Sequence, residues 1–122
     1  MTAPALEATR GDTLTATFTL AYDITGWTPR WVAKSAQDWP NALDAAAVLT
    51  ATTGSGLTSY PGATSTILLS IAASVMAAIA LGTYVWDLQL TSGVLVRTVE
   101  WDTQGTTTGV LTVDADVTRT TP

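Results

Sequence analysis

The run Gly82-Thr-Tyr-Val-Trp-Asp-Leu-Gln-Leu-Thr-Ser-Gly-Val-Leu-Val-Arg97 constrains this chain more than any other stretch. Tyr84, Trp86, Leu88 and Leu90 recur at every second residue, with Asp87, Gln89 and Thr91 among those between. A period of two belongs to a strand with one face in a core and the other in water. Ser92-Gly93 then supplies the turn chemistry that folds the next β-rich run, Val94 to about Asp102, back as a hairpin. The chain must therefore build a sheet. Its composition agrees: Thr, Val and Trp are frequent and Lys34 is the single lysine, which suits pleated, half-buried surfaces better than helices.

The same reading extends along the sequence. Thr13 to Leu20 alternates, with Leu14, Ala16, Phe18 and Leu20 on one face and threonines on the other. Asp23 to Gly26 reads as a turn and Trp27 to about Lys34 as a second strand, where Pro29 suggests an edge or an irregular strand start. Ser35 to Ala42 reads as a polar loop. Ala45 to Thr53 mixes helix and strand signals, and Gly54-Ser-Gly56 after it favours a strand ending in a hairpin turn. Thr66 to Ile71 is a further strand, Ala72 to Ala80 one or two helical turns with Ser70 or Ser74 as a candidate cap, and Val110 to Val113 a last strand. The pattern predicts an all-β chain: a β-sandwich of about seven strands with a short helical insert near residues 72–80. The domain plan is an exposed N-terminal arm over 1–10, one sandwich over 11–117 and a frayed tail over 118–122.

Composition excludes several classes of function. A chain of 122 residues, 47 % of them hydrophobic, is large enough for one core and too apolar for disorder. Its net charge of −5 disfavours binding to nucleic acid or to an anionic membrane surface, both of which draw on clustered lysine and arginine. With no cysteine and no histidine, thiol chemistry, Ser-His-Asp catalysis and the commonest zinc ligands are missing. The longest apolar run, Ile67 to Leu81, is interrupted by Ser70 and Ser74 and is shorter than the roughly 18–20 residues that span a bilayer. No secretory signal is visible in Met1 to Glu7.

Motifs add little chemistry. Arg10-Gly-Asp12 spells an integrin-binding tripeptide, but it reads more simply as a turn before a strand. Glu100 and Asp102 alternate along one strand and so share a face, and Asp114 and Asp116 just after the last strand have the same spacing. Such pairs are the raw material of a Ca²⁺ site or a glycosidase dyad. No loop of D-x-D-x-D-G type supplies further ligands, and a solvated strand face is the expectation, with no metal, cofactor or catalytic residue assigned. Of the five tryptophans, Trp86 belongs to the inward set. Trp31 has an uncertain phase, and Trp101 is balanced between core and surface. Trp39, beside Pro40, suits either anchoring of its loop or an exposed contact. Trp39, Trp101 and Trp27 are the candidate interface residues.

Taken in order, Arg10-Gly-Asp-Thr13, Asp23-Ile-Thr-Gly-Trp27, Gly54-Ser-Gly-Leu-Thr58, Gly82-Thr-Tyr-Val-Trp-Asp-Leu88 and Asp116-Val-Thr-Arg119 resemble a family of small phage and prophage tail proteins. The resemblance implies an immunoglobulin-like sandwich similar to the N-terminal domain of siphophage baseplate upper proteins. The polar stretch Glu100 to Thr108 is longer than that pattern leads one to expect. The resemblance also implies a non-enzymatic virion structural protein of the tail, baseplate or fibre-attachment region, located in the phage particle and assembled in the host cytoplasm. Its partners would be other virion proteins and copies of itself. A capsid decoration protein is the first alternative. A carbohydrate-binding module stacking sugars on Trp39, Trp27 and Trp101 is the alternative from another class, and an enzyme working through Glu100 and Asp102 the least favoured.

Overall fold

The computed structural model describes residues 5–9, 11–35, 47–101 and 106–114. The alternating segments become strands whose apolar residues turn inward. Strand β1 (Leu6–Thr9) is followed by β2 (Leu14–Leu20), which buries Leu14, Phe18 and Leu20 and exposes Thr15, Thr17 and Thr19. Next come β3 (Thr28–Ser35), β4 (Ala47–Thr53), β5 (Gly56–Tyr60) and β6 (Ser65–Ile71). A single helical turn, α1 (Ala73–Met76), leads to β7 (Gly82–Ser92), β8 (Leu95–Thr98) and β9 (Thr108–Asp114).

These strands form one hydrogen-bonded sheet in the order β1-β9-β7-β3-β4-β5-β6-β2, with β8 pairing β7 beside that path. The terminal strands of this order, β1 and β2, are consecutive in the chain and approach one another, so the sheet is nearly closed into a barrel. Its interior is one apolar cluster. Phe18, Trp31, Trp86 and Trp101 sit at the centre of it, and Ile67, Leu69, Leu88, Leu90 and Leu111 pack around them. Phe18 and Trp86 have ring centroids 5.2 Å apart, and Trp86 meets Trp101 edge-on at 5.7 Å. Each such aromatic pair contributes about 0.5–1.5 kcal/mol beyond the area it buries.

The chain is all-β as expected, with α1 inside the region expected to be helical. The strand count differs: nine strands are found among the described residues where about seven were expected. Two account for the excess. Leu6–Thr9, assigned by sequence to an exposed arm, pairs in parallel with Leu111–Asp114 of β9 and buries Leu6. Gly56–Tyr60, to which the sequence assigned no strand, is β5. It runs parallel to β4 over Thr52↔Gly56 and Thr53↔Leu57, so the chain coils over at 54–55 instead of reversing. Gly56 makes that coil possible: its φ is +102°, and a Cβ there would lie 2.9 Å from the Ala51 Cβ.

Pro29 lies in a central strand, at its start, where β7 pairs with it and the β4 ladder has not yet begun. The helical turn takes neither Ser70 nor Ser74 as its cap. Ala72 precedes it in an extended conformation without a side-chain cap, and Met76 and Ile79 plug the end of the core. Just beyond, the Tyr84 hydroxyl donates to the Ala80 carbonyl oxygen at 2.5 Å and ties this corner to β7.

Candidate functional site

The β7–β8 hairpin is the most distinctive part of the surface. Its two-residue turn, Gly93-Val94, has Gly93 at φ +61°, the backbone required at the first central position of a type II′ turn. Register runs Gln89↔Thr98, Leu90↔Arg97, Thr91↔Val96 and Ser92↔Leu95. β8 has β7 as its only strand neighbour among the described residues, and the tip of the hairpin is exposed. Val94 is 96 % exposed, Leu95 60 % and Val96 63 %. Leu95 and Arg97 share a face with Leu90, and the Arg97 guanidinium lies 4.4 Å from the centroid of the Tyr22 ring, a cation–π contact that fixes the hairpin against the β2–β3 turn. Arg97 is the only charged residue between Leu88 and Val99.

That turn is itself well specified. Thr25 donates to the Asp23 carboxylate from both its amide, at 2.9 Å, and its hydroxyl, at 2.6 Å. These bonds hold the Asp23 carboxyl below its ordinary pKa, the hydroxyl bond being the larger cause. The Trp27 amide closes the turn on the Ile24 carbonyl oxygen at 2.9 Å. Behind it, the fully buried Ser65 hydroxyl donates to the Tyr22 carbonyl oxygen at 2.8 Å and accepts from the Ile24 amide at 3.1 Å.

Of the three candidate interface residues, Trp101 and Trp27 lie among the described residues. Trp101 is only 4 % exposed and packs on Phe18 and Trp86. It is therefore a core residue, which corrects its assignment to an interface and removes it from any sugar-stacking platform. Trp27 is half-buried and packs on the edge of the core, and Trp39 lies outside the described residues. Glu100 is exposed, while its supposed partner Asp102 lies outside the described residues, as do Asp116 and Arg10. Gly11 and Asp12 form a turn in which the Asp12 amide donates to the Thr9 carbonyl oxygen at 3.0 Å. Among the described residues no three of His, Cys, Asp and Glu cluster as metal ligands would. No helix there is long and apolar enough to cross a membrane.

A shallow groove of about 290 Å³ runs between the β4–β5 coil and α1, lined by Leu49, Ser55, Gly56, Ser70, Ile71 and Val75 among others. None of its lining residues is charged, so it offers hydroxyls and aliphatic carbons but no acid, base or ligand for chemistry. The hairpin tip was missed from sequence because Val94-Leu95-Val96 reads as the start of a good strand. Its signal was the lapse of alternation, three successive aliphatic residues directly after a turn.

No family model matches the chain, and no curated protein matches it either.

Proposed function

We propose that this chain is an immunoglobulin-like domain serving as a non-enzymatic structural protein of a phage particle, in the tail, baseplate or fibre-attachment region. The finer fold reading is supported by how the sheet divides. β2, β6 and β5 form one group, and β1, β9, β7, β3 and β4 the other, joined between β4 and β5 by two residue pairs alone. The first strand runs parallel to the last, and the chain changes group at β4–β5. The Tyr84–Ala80 hydrogen bond has the form of the tyrosine corner of such sandwiches. Where many of them bridge the second and sixth strands with a disulfide packed on a buried tryptophan, this chain packs Phe18 of β2 at a tilt against Trp86 of β7, with Trp31 of β3 at 6.3 Å from Trp86.

The observation that carries the functional reading is the exposed apolar tip of the β7–β8 hairpin. A surface that places Val94, Leu95 and Val96 in water is disfavoured unless another surface covers them. Particle symmetry would repeat that modest contact many times, adding affinity without any single large interface. The sequence resemblance to small tail proteins supplies the particle. The partners are other virion proteins and copies of the same chain.

Immunogold labelling of purified particles, with antibody raised against the recombinant chain, tests this. Gold at the tail or its tip is the expected result. Gold over the head would convert the assignment to capsid decoration. Unlabelled particles beside well-labelled controls would overturn the virion reading.

A further inference from the structure

We infer that the outer edge of β8 is a self-association edge, and that two copies of the chain join their β8 strands antiparallel about a twofold axis with Val96 opposite Val96. The backbone pattern of the hairpin leads to this register. The Val99 amide donates to the Leu88 carbonyl oxygen at 2.8 Å, and alternation of bonded pairs along an antiparallel ladder makes Leu90–Arg97 and Ser92–Leu95 the other bonded pairs. Leu95, Arg97 and Val99 thus direct their backbone groups to β7. Val96 and Thr98 direct theirs away from it, and β8 has no second strand neighbour among the described residues.

Two identical strands related by a twofold axis perpendicular to their sheet must pair a residue with its own copy. Centring on Arg97 would set two guanidinium groups opposite each other and bring together strand positions whose amides already point to β7. Centring on Val96 brings together the outward-pointing groups: Val96 bonds reciprocally with its copy, and Thr98 meets Val94. Leu95 then faces Arg97, so no like charges meet. The charge distribution favours a second copy as the occupant. The chain carries net charge −5, yet residues 88–99 contain no acid, so two copies meeting here avoid the repulsion they would feel over an acidic surface. The exposed aliphatic side chains of Val94, Leu95 and Val96 become the apolar centre of the contact.

The absence of cysteine from the chain permits a clean test. Sedimentation of the full chain in a concentration series reaching about 1 mM, the weak end of specific association, is expected to show a species of twice the 12.7 kDa monomer mass. Val96→Lys places two ammonium groups opposite each other and is expected to leave only monomer with unchanged thermal unfolding, since position 96 is exposed. Under oxidation, Val96→Cys is expected to cross-link, because opposed residues of a bonded pair lie about 5.5 Å apart between Cα atoms, within disulfide range. Val94→Cys, though more exposed, sets its two copies about 14 Å apart and is expected to stay uncoupled. A wild-type chain that remains monomeric throughout, a dimer that survives Val96→Lys, or cross-linking at 94 as fast as at 96 would each overturn the inference. The contact stands apart from the particle reading. Labelled particles with a monomeric chain would defeat this contact alone, and a Val96-dependent dimer absent from particles would defeat the virion reading alone.

Discussion

The indole of Trp86 lies over the backbone of Gly109, its directly opposed neighbour across the β7–β9 ladder, so closely that a Cβ at position 109 would overlap the ring. The glycine is there for space, since its backbone is that of an ordinary strand. Gly109→Ala is expected to cost about 1–3 kcal/mol, the usual range for overpacking a filled core. Val110→Ala, one residue on and exposed, should change stability little. Urea unfolding monitored by tryptophan fluorescence measures both. If the clash is the cause, pairing Gly109→Ala with Trp86→Phe should give less than the sum of the two single effects.

Ser65 is the one polar side chain fully enclosed among the described residues, and it serves two backbone groups of the turn that supports the hairpin. Removing the hydroxyl leaves the Ile24 amide and the Tyr22 carbonyl without that partner behind the turn. Ser65→Ala is expected to destabilise by about 1–3 kcal/mol, the cost of stranding buried polar groups. Ser70→Ala on the exposed face of the same strand is the control, and equal effects from both would defeat the explanation.

Asp23 gives the turn a pH dependence of known sign. Its folded-state pKa is lowered, first by the Thr25 hydroxyl and then by the Thr25 amide, so its ionised form is favoured by folding. The contribution is whole above the ordinary carboxylate range and is lost as pH falls through the lowered value. Because the group is fully exposed, the effect is small. Thr25→Val removes the hydroxyl bond and should flatten the acid limb of the stability curve, measured as melting temperature from neutral pH downward. A variant with an unchanged acid limb would show that the turn does not couple to titration.

The parts of the fold that could be read from sequence are those with long, regular alternation. β2, β6 and β7 each show a run of inward residues that no helix period reproduces, and their faces are as expected. Position-specific features resisted reading. Leu6–Thr9 is too short to show a period and becomes a strand only because β9 presents a free edge to it. Gly54-Ser-Gly56 looks like any hairpin turn, and only the pairing of Thr52 with Gly56 reveals a coil between parallel strands. The exposed hairpin tip was hidden because burial depends on which strands flank a segment, and sequence gives the phase of Leu95 but not that β8 pairs with β7 alone among the described residues.

Trp101 shows the same difficulty from the other side, and it yields the most decisive substitution. Arg97 breaks the apolar face of its segment, which left the indole balanced between surface and interior by pattern. The chain resolves this after β8 by turning inward at Val99, fully buried, so that Trp101 reaches Phe18 at 5.8 Å and Trp86 at 5.7 Å. Trp101→Ala should therefore behave as a core truncation and cost about 3–5 kcal/mol. Trp101→Phe should cost less, because it keeps a ring in the cluster and removes an indole N–H that has no hydrogen-bond partner among the described residues. An exposed contact residue would behave differently: either variant would leave unfolding in urea unchanged. Retained stability in Trp101→Ala would thus return the residue to the surface and reopen the sugar-stacking platform that its burial removes.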